Sequence, residues 1–276
     1  MNSFAHKPSP MLIGVVRRET VRDAIADIKN CEVHGATGID LHLSCLKREL
    51  WNEESLRTII SSTKLPILSL HYSHNYDYSL FESTEEERTA LLMTAVRAGT
   101  SAVDMQGYTF DRASKEGVRE EYRNMPYTFL KNDPHEVVLD PKIIDKQCDF
   151  IEEVHSLGSE VLISTHTGIQ MKAEEVVELA LFLEKRNPDV IKIVSVSKDE
   201  DDLAEAIRAA LLLKKEVRTV THYHASGAPA RLSRILNPLL GGYLIFCHDG
   251  YHAGANFEQL DLETAKTAVD ALQKLM

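Results

Sequence analysis

The amino-acid sequence predicts an α/β protein folded as a single (β/α)8 TIM barrel over residues 1–276. Two observations predict it. Short β-rich runs alternate with amphipathic helical stretches eight times, the pattern of a parallel sheet closed on itself. The length also suits one barrel, since such domains run to roughly 250 residues. An open doubly wound sheet is the structural alternative. Its first strand-to-helix turn would carry a glycine fingerprint, and the turn here reads Val15-Val16-Arg17-Arg18-Glu19-Thr20.

The first strand is Met-Leu-Ile-Gly-Val-Val at 11–16, followed by a helix over 20–34. A second strand covers 38–46 and its helix 52–63; a third covers 66–72, with a helix over 84–98. The fourth strand, 102–106, leads into a polar and aromatic insertion at 107–139, and the fourth helix follows at 140–157. Pro141 falls in the first turn of that helix, where a proline is favourable. The second half is more regular, with strands at 160–166, 189–196, 217–224 and 243–248. Their helices are predicted at 172–186, 199–215, 229–240 and 261–275. The acidic run Lys198-Asp199-Glu200-Asp201-Asp202 caps the sixth helix, and Lys214-Lys215 suits its other end. An insertion of this length is a lid, a binding loop or an oligomer contact. It leaves the C-terminal end of a strand, where barrel enzymes keep their chemistry.

Composition narrows the function. A net charge of -11 argues against a nucleic-acid partner, which needs clustered Lys and Arg, but leaves room for an anionic small substrate in a locally basic pocket. No apolar run approaches the ~18 residues of a membrane span. The N-terminus has no secretory pattern, so a cytoplasmic location is the default expectation. Cys31, Cys45, Cys148 and Cys247 are scattered and read as buried thiols. No glycine-rich phosphate loop stands out, so no organic cofactor is expected. The expected partners are a small anionic keto acid and at most a second copy of the chain.

Strand residues alternate between faces, and that alternation puts polar groups where a barrel core should be apolar. In Gly-Ile-Asp-Leu-His-Leu-Ser, Ile39, Leu41 and Leu43 oppose Asp40, His42 and Ser44. In the third strand Leu68 and Leu70 oppose Ser69 and His71; in the fourth, Val103 and Met105 oppose Asp104 and Gln106. Ser164 and His166 share a face, and Lys192 opposes Ile191 and Ile193. Strands seven and eight end in His222-Tyr223-His224 and His248-Asp249. Each unpaired polar group of this kind costs roughly several kcal/mol to bury, so a ring of them reads as a site. Lys192 is the sharpest: desolvation favours the neutral amine, the form that attacks carbonyls. A buried lysine paired with a carboxylate is the plainer alternative. His166 ends the preceding strand and is the expected acid/base partner.

The pair Ile-Ser-Thr-His-Thr-Gly (163–168) and Asp-Val-Ile-Lys-Ile-Val-Ser-Val-Ser-Lys-Asp-Glu-Asp-Asp-Leu (189–203) resembles type I 3-dehydroquinate dehydratase. In that family a strand-five histidine and a strand-six lysine perform the dehydration. Ala-Arg-Leu-Ser-Arg-Ile-Leu (230–236) is similar to its G-R-x-S-R segment, whose first arginine, here Arg231, would bind the substrate carboxylate. Ala-Val-Asp-Met-Gln matches the I-D-x-E strand at Asp104. The resemblance implies a lysine iminium at Lys192, proton transfer by His166, and elimination of water from 3-dehydroquinate or a related hydroxy-keto acid. Asp40, His42, His71, Asp104 and His224 are the remaining expected substrate contacts. The departures concern substrate holding. The family's strand-two E-x-R appears as Asp40-Leu41-His42, His71 stands for the arginine of F-R-T, and the S-A-P-G-Q loop becomes His252-Ala253-Gly254-Ala255-Asn256.

Two other function classes stay open on sequence. One is a metal-dependent hydrolase or isomerase using Asp40, His42, His71, His74, Asp104, His222, His224 and His248 as nitrogen and oxygen donors. The other is a binding or regulatory relative that kept the fold and lost turnover.

Overall fold

The computed structural model describes residues 3–72, 82–250 and 258–275. It is an α/β fold whose strands are β1 (Met11–Val16), β2 (Gly38–His42), β3 (Ile67–Leu70), β4 (Ala102–Gln106), β5 (Glu160–His166), β6 (Val190–Val196), β7 (Val220–Ser226), β8 (Leu244–His248) and β9 (Leu260–Asp261). They form a parallel sheet in the order β7-β6-β5-β4-β3-β2-β1-β8-β9. The helices between them are α1 (Val21–Val33), α2 (Glu53–Ile60), α3 (Glu85–Ala98), α4 (Pro141–Ser156), α5 (Ala173–Glu184), α6 (Glu200–Glu216), α7 (Ser233–Leu240) and α8 (Leu262–Gln273).

Local chemistry sets the helix ends. Thr20, Asn52, Asp199 and Asp261 each accept a backbone N–H three residues on, satisfying a first-turn donor that has no intrahelical partner. Thr84 and Glu87 form a reciprocal capping box on α3, which stops at Gly99 in the left-handed conformation, φ 99°. The seventh helix begins later than predicted. Pro229 lies in a short 3-10 turn, Ala228–Ala230, and α7 starts only at Ser233. The Ser233 hydroxyl donates to Ala230 O (2.7 Å) and accepts from Ala225 N–H (3.1 Å), tying the helix start to β7. Strand β9 is two residues long, below what a periodicity argument detects.

The chain forms two compact units. The first comprises Met1–Asp104, Val154–Val161 and Leu244–Met276; the second comprises Met105–Glu153 and Leu162–Tyr243. In the first, Asp40 pairs with Leu68, His42 with Leu70, and Leu70 with Asp104. Parallel partners share a face, so Leu68 and Leu70 lie with Asp40, His42 and Asp104, while Ser69 lies with Leu41. This reverses the faces predicted for the third strand. The reason is physical: a parallel strand is buried on both sides, so apolar alternation does not mark its faces, and one residue of slip exchanges them. The second strand also ends earlier than predicted, at His42, and Ser44 sits in a 3-10 turn, Leu43–Cys45.

His71 consequently falls just beyond β3 and packs sideways. Its Nε2 is 2.9 Å from Ser83 Oγ, and its ring stands edge-on to Trp51 at 4.9 Å. Burial first, and then the fully buried Arg88, push its pKa down to about 3. The unfolded chain binds a proton at His71 near pH 6.5, whereas the folded chain refuses it until about pH 3. Stability from this site is therefore complete above about pH 6.5 and is lost as pH falls through that window. His71→Asn, which keeps a polar partner for Ser83 but cannot titrate, is expected to blunt the acid loss of melting temperature between pH 6.5 and 4. An unchanged acid slope would contradict this placement.

Candidate active site

The site is built in the second unit on three neighbouring parallel strands. Ser164 on β5 opposes Lys192 on β6, which opposes His222 on β7; one step along, His166, Val194 and His224 are in register. All six share one face. Ile191 and Ile193 take the other, which is fully buried. Lys192 is thus aimed away from its isoleucine neighbours, as the two-residue period requires, and is only 6% exposed.

Lys192 Nζ lies 3.3 Å from His166 Nε2. The other ring nitrogen, His166 Nδ1, lies 3.0 Å from Glu136 Oε2, and the same oxygen accepts the His166 backbone N–H at 2.8 Å. A carboxylate can only accept, so Nδ1 carries the hydrogen in the neutral ring and Nε2 presents its lone pair to Lys192. Glu136 is 1% exposed and has φ 59°, a left-handed backbone uncommon outside glycine that costs of order 1 kcal/mol or more. Its own N–H donates to Ser114 O, 2.8 Å. Glu136 belongs to the 107–139 insertion, whose Tyr108, Phe129, Val137, Val138 and Leu139 are buried. Sequence reasoning missed it, because the insertion has no period to read. The signal it did carry was a carboxylate directly preceding the apolar run Val137-Val138-Leu139.

On the far side of Lys192 in register, His222 Nε2 and His224 Nδ1 are 2.9 Å apart. Burial, then Lys192 and Arg234, drive the His222 pKa well below its ordinary value. Burial, then Arg234, His222, Lys192 and His166, do the same for His224. Both rings are therefore neutral near pH 7, with the Arg234 guanidinium and the Lys192 side chain beside them. Arg231 is exposed, whereas Arg234, one helical turn on, is half-buried and places Nη2 3.4 Å from Ser226 Oγ.

The other predicted site residues lie in the first unit. His42 Nε2 is 3.1 Å from Asp40 Oδ2, both buried, and the His42 ring meets Tyr72 edge-on at 5.7 Å. Asp104 is buried on the same face. His248 is buried opposite Asp261. His74 and residues 252–256 lie outside the described residues. Among the described residues, no three or more His, Cys, Asp and Glu side chains are grouped so as to hold a metal ion, and no helix is long and apolar enough to cross a membrane.

Comparison with known proteins adds to this geometry. Residues 108–276, more than half of the chain, match the type I 3-dehydroquinase family. Over 96 residues the chain is 30% identical to the 3-dehydroquinate dehydratase of Coxiella burnetii (strain RSA 493 / Nine Mile phase I), covering 34% of this chain. It thus spans about 40% of the length of the curated relatives it matches. The crystal structure of 3-dehydroquinate dehydratase from Geobacillus kaustophilus HTA426 superposes with a TM-score of 0.75 at 14% identity, covering 96% of this chain and 91% of that one. The type I enzyme of Clostridium difficile, solved with covalently modified comenic acid, gives 0.75 at 16% identity, covering 98% and 95%. At such identities these structures speak for the fold. The family match speaks for descent, and by it this chain belongs to the type I 3-dehydroquinase family.

Proposed function

We propose that this protein is a Schiff-base-forming dehydratase acting on 3-dehydroquinate or a closely related hydroxy-keto carboxylic acid. The observation that carries the reading is the Lys192–His166 contact at 3.3 Å, with the histidine tautomer set from behind by Glu136. Family membership supports the same chemistry. The fold that goes with it is a closed (β/α)8 barrel, supported by eight strand–helix alternations and by the whole-chain likeness to solved type I enzymes.

The Lys192 amine adds to the substrate ketone, and loss of water from the carbinolamine forms a C=N bond. The resulting iminium is an electron sink that acidifies the adjacent C–H. His166 Nε2, already an acceptor, takes that proton and leaves an enamine. The enamine pushes out the β-hydroxyl, which departs as water with the proton His166 now holds. Water then adds to the conjugated iminium and frees Lys192 together with the enone. The net change is the loss of one water. Arg234 is the better placed of the two arginines to hold the substrate carboxylate. It is turned toward the histidine face, whereas Arg231 is exposed. Neutral His222 and His224 leave the positive charge of Arg234 uncancelled, which suits an anion inside a chain of net charge -11.

The test is intact-protein mass spectrometry after borohydride reduction with 3-dehydroquinate, comparing the wild type with Lys192→Ala. A ligand-sized mass gain in the wild type alone, with turnover reduced at least about 1,000-fold in the variant, is the expected result. Turnover without any trapped adduct would sink the imine mechanism.

A further inference from the structure

Arg186 follows α5 and is a buried cation that forms no ion pair with a carboxylate among the described residues. It is 2% exposed, and burial pulls its pKa down to about 10, so it stays charged near pH 7. Among the described residues its hydrogen bonds go to neutral acceptors: Nε to Gln147 Oε1 (2.7 Å), Nη1 to Phe182 O (3.1 Å) and Nη2 to Val138 O (2.9 Å). The Phe182 ring lies 4.7 Å from its carbon centre. Removing a guanidinium from water to meet carbonyls and an amide is costly, so the arrangement calls for a reason beyond packing.

Its partners supply one. Gln147 on α4 is fully buried, and its Nε2 donates to Gly107 O and to Thr109 O, both at 2.9 Å. Gly107 and Thr109 are where the insertion leaves β4, and Val138 is where it returns, two residues after Glu136. One buried pair thus fastens both ends of the insertion. The ends also touch directly: a Cβ on Gly107 would stand 2.1 Å from the Glu136 carbonyl oxygen. Gly107 N–H donates to Ser164 O (2.7 Å) and His135 N–H to Thr167 O (2.9 Å), so the joined ends are stitched to β5 on either side of His166. Glu136 is held in its left-handed conformation between these fastenings.

We propose that Arg186 and Gln147 are positioning residues of the active site. They clamp the two ends of the 107–139 insertion so that Glu136 meets His166 Nδ1 and His166 Nε2 stays turned to Lys192. The effect on turnover rests on the dehydratase reading above; the effect on the histidine ring does not. Arg186→Lys keeps the charge but cannot span Gln147, Phe182 and Val138 with one nitrogen. Gln147→Leu keeps the shape and removes both donors.

The experiment measures kcat and KM with 3-dehydroquinate for each variant, alone and on a Glu136→Gln background. It also records the His166 Nδ1–H proton by NMR, and thermal melting to identify folded variants. The expected result is a roughly 10–100-fold fall in kcat with KM nearly unchanged, no further fall on the Glu136→Gln background, and loss of the His166 Nδ1–H signal. Equal losses on both backgrounds would make the pair merely structural and overturn the proposal. So would wild-type kcat, or a retained ring signal, in either folded variant; if Arg186→Lys does not fold, Gln147→Leu decides. Wild-type protein inert toward 3-dehydroquinate would defeat the dehydratase reading, while the NMR outcome would still decide the clamp.

Discussion

One carboxylate oxygen of Glu136 receives both the backbone N–H and the ring Nδ1 of His166, at 2.8 and 3.0 Å. With that oxygen in place the imidazole has a single useful orientation, with its lone pair on Nε2 facing Lys192. Without it the ring could present a hydrogen instead, and no Nε2 lone pair would face the lysine side of the site. Much of the second unit converges on this bond. Strands β5 and β6 set the spacing of histidine and lysine, and the insertion supplies the carboxylate. Gln147 and Arg186 hold the insertion closed.

Charge is arranged around that relay with equal economy. The chain as a whole is acidic, yet the face carrying Lys192 has a cation beside it in Arg234 and two imidazoles kept neutral by burial. Neutral His222 and His224 are hydrogen-bonded to each other, which removes part of the cost of burying them. A positive, partly desolvated strip of this kind suits the anionic substrate of the proposed reaction.

The order of elements was readable because the strand and helix periods of two and 3.6 residues write themselves into apolar positions, and the side of the strand that Lys192 and His166 each take was readable for the same reason. Reading stopped where period stops. The third strand is buried on both faces, so its register was set by neighbours and came out opposite to prediction, taking His71 to Trp51 and Ser83. Arg231 and Arg234 are one helical turn apart in a segment that begins as a 3-10 turn, and only the start of α7 at Ser233 decides which turns toward the histidines. Glu136 was the hardest to see. The carboxylate on His166 comes from an irregular loop. Its place depends on long-range hydrogen bonds that local sequence does not encode.

The most direct test of this account is a single-turnover measurement on Glu136→Gln with 3-dehydroquinate, following the trapped lysine adduct and the enone separately. The adduct is expected to form in wild-type amounts while the dehydration step slows by roughly 10–100-fold, because the imine needs Lys192 and the proton transfer needs an oriented His166. Dehydration at the wild-type rate would contradict it, and would leave Glu136 as a packing residue of the insertion.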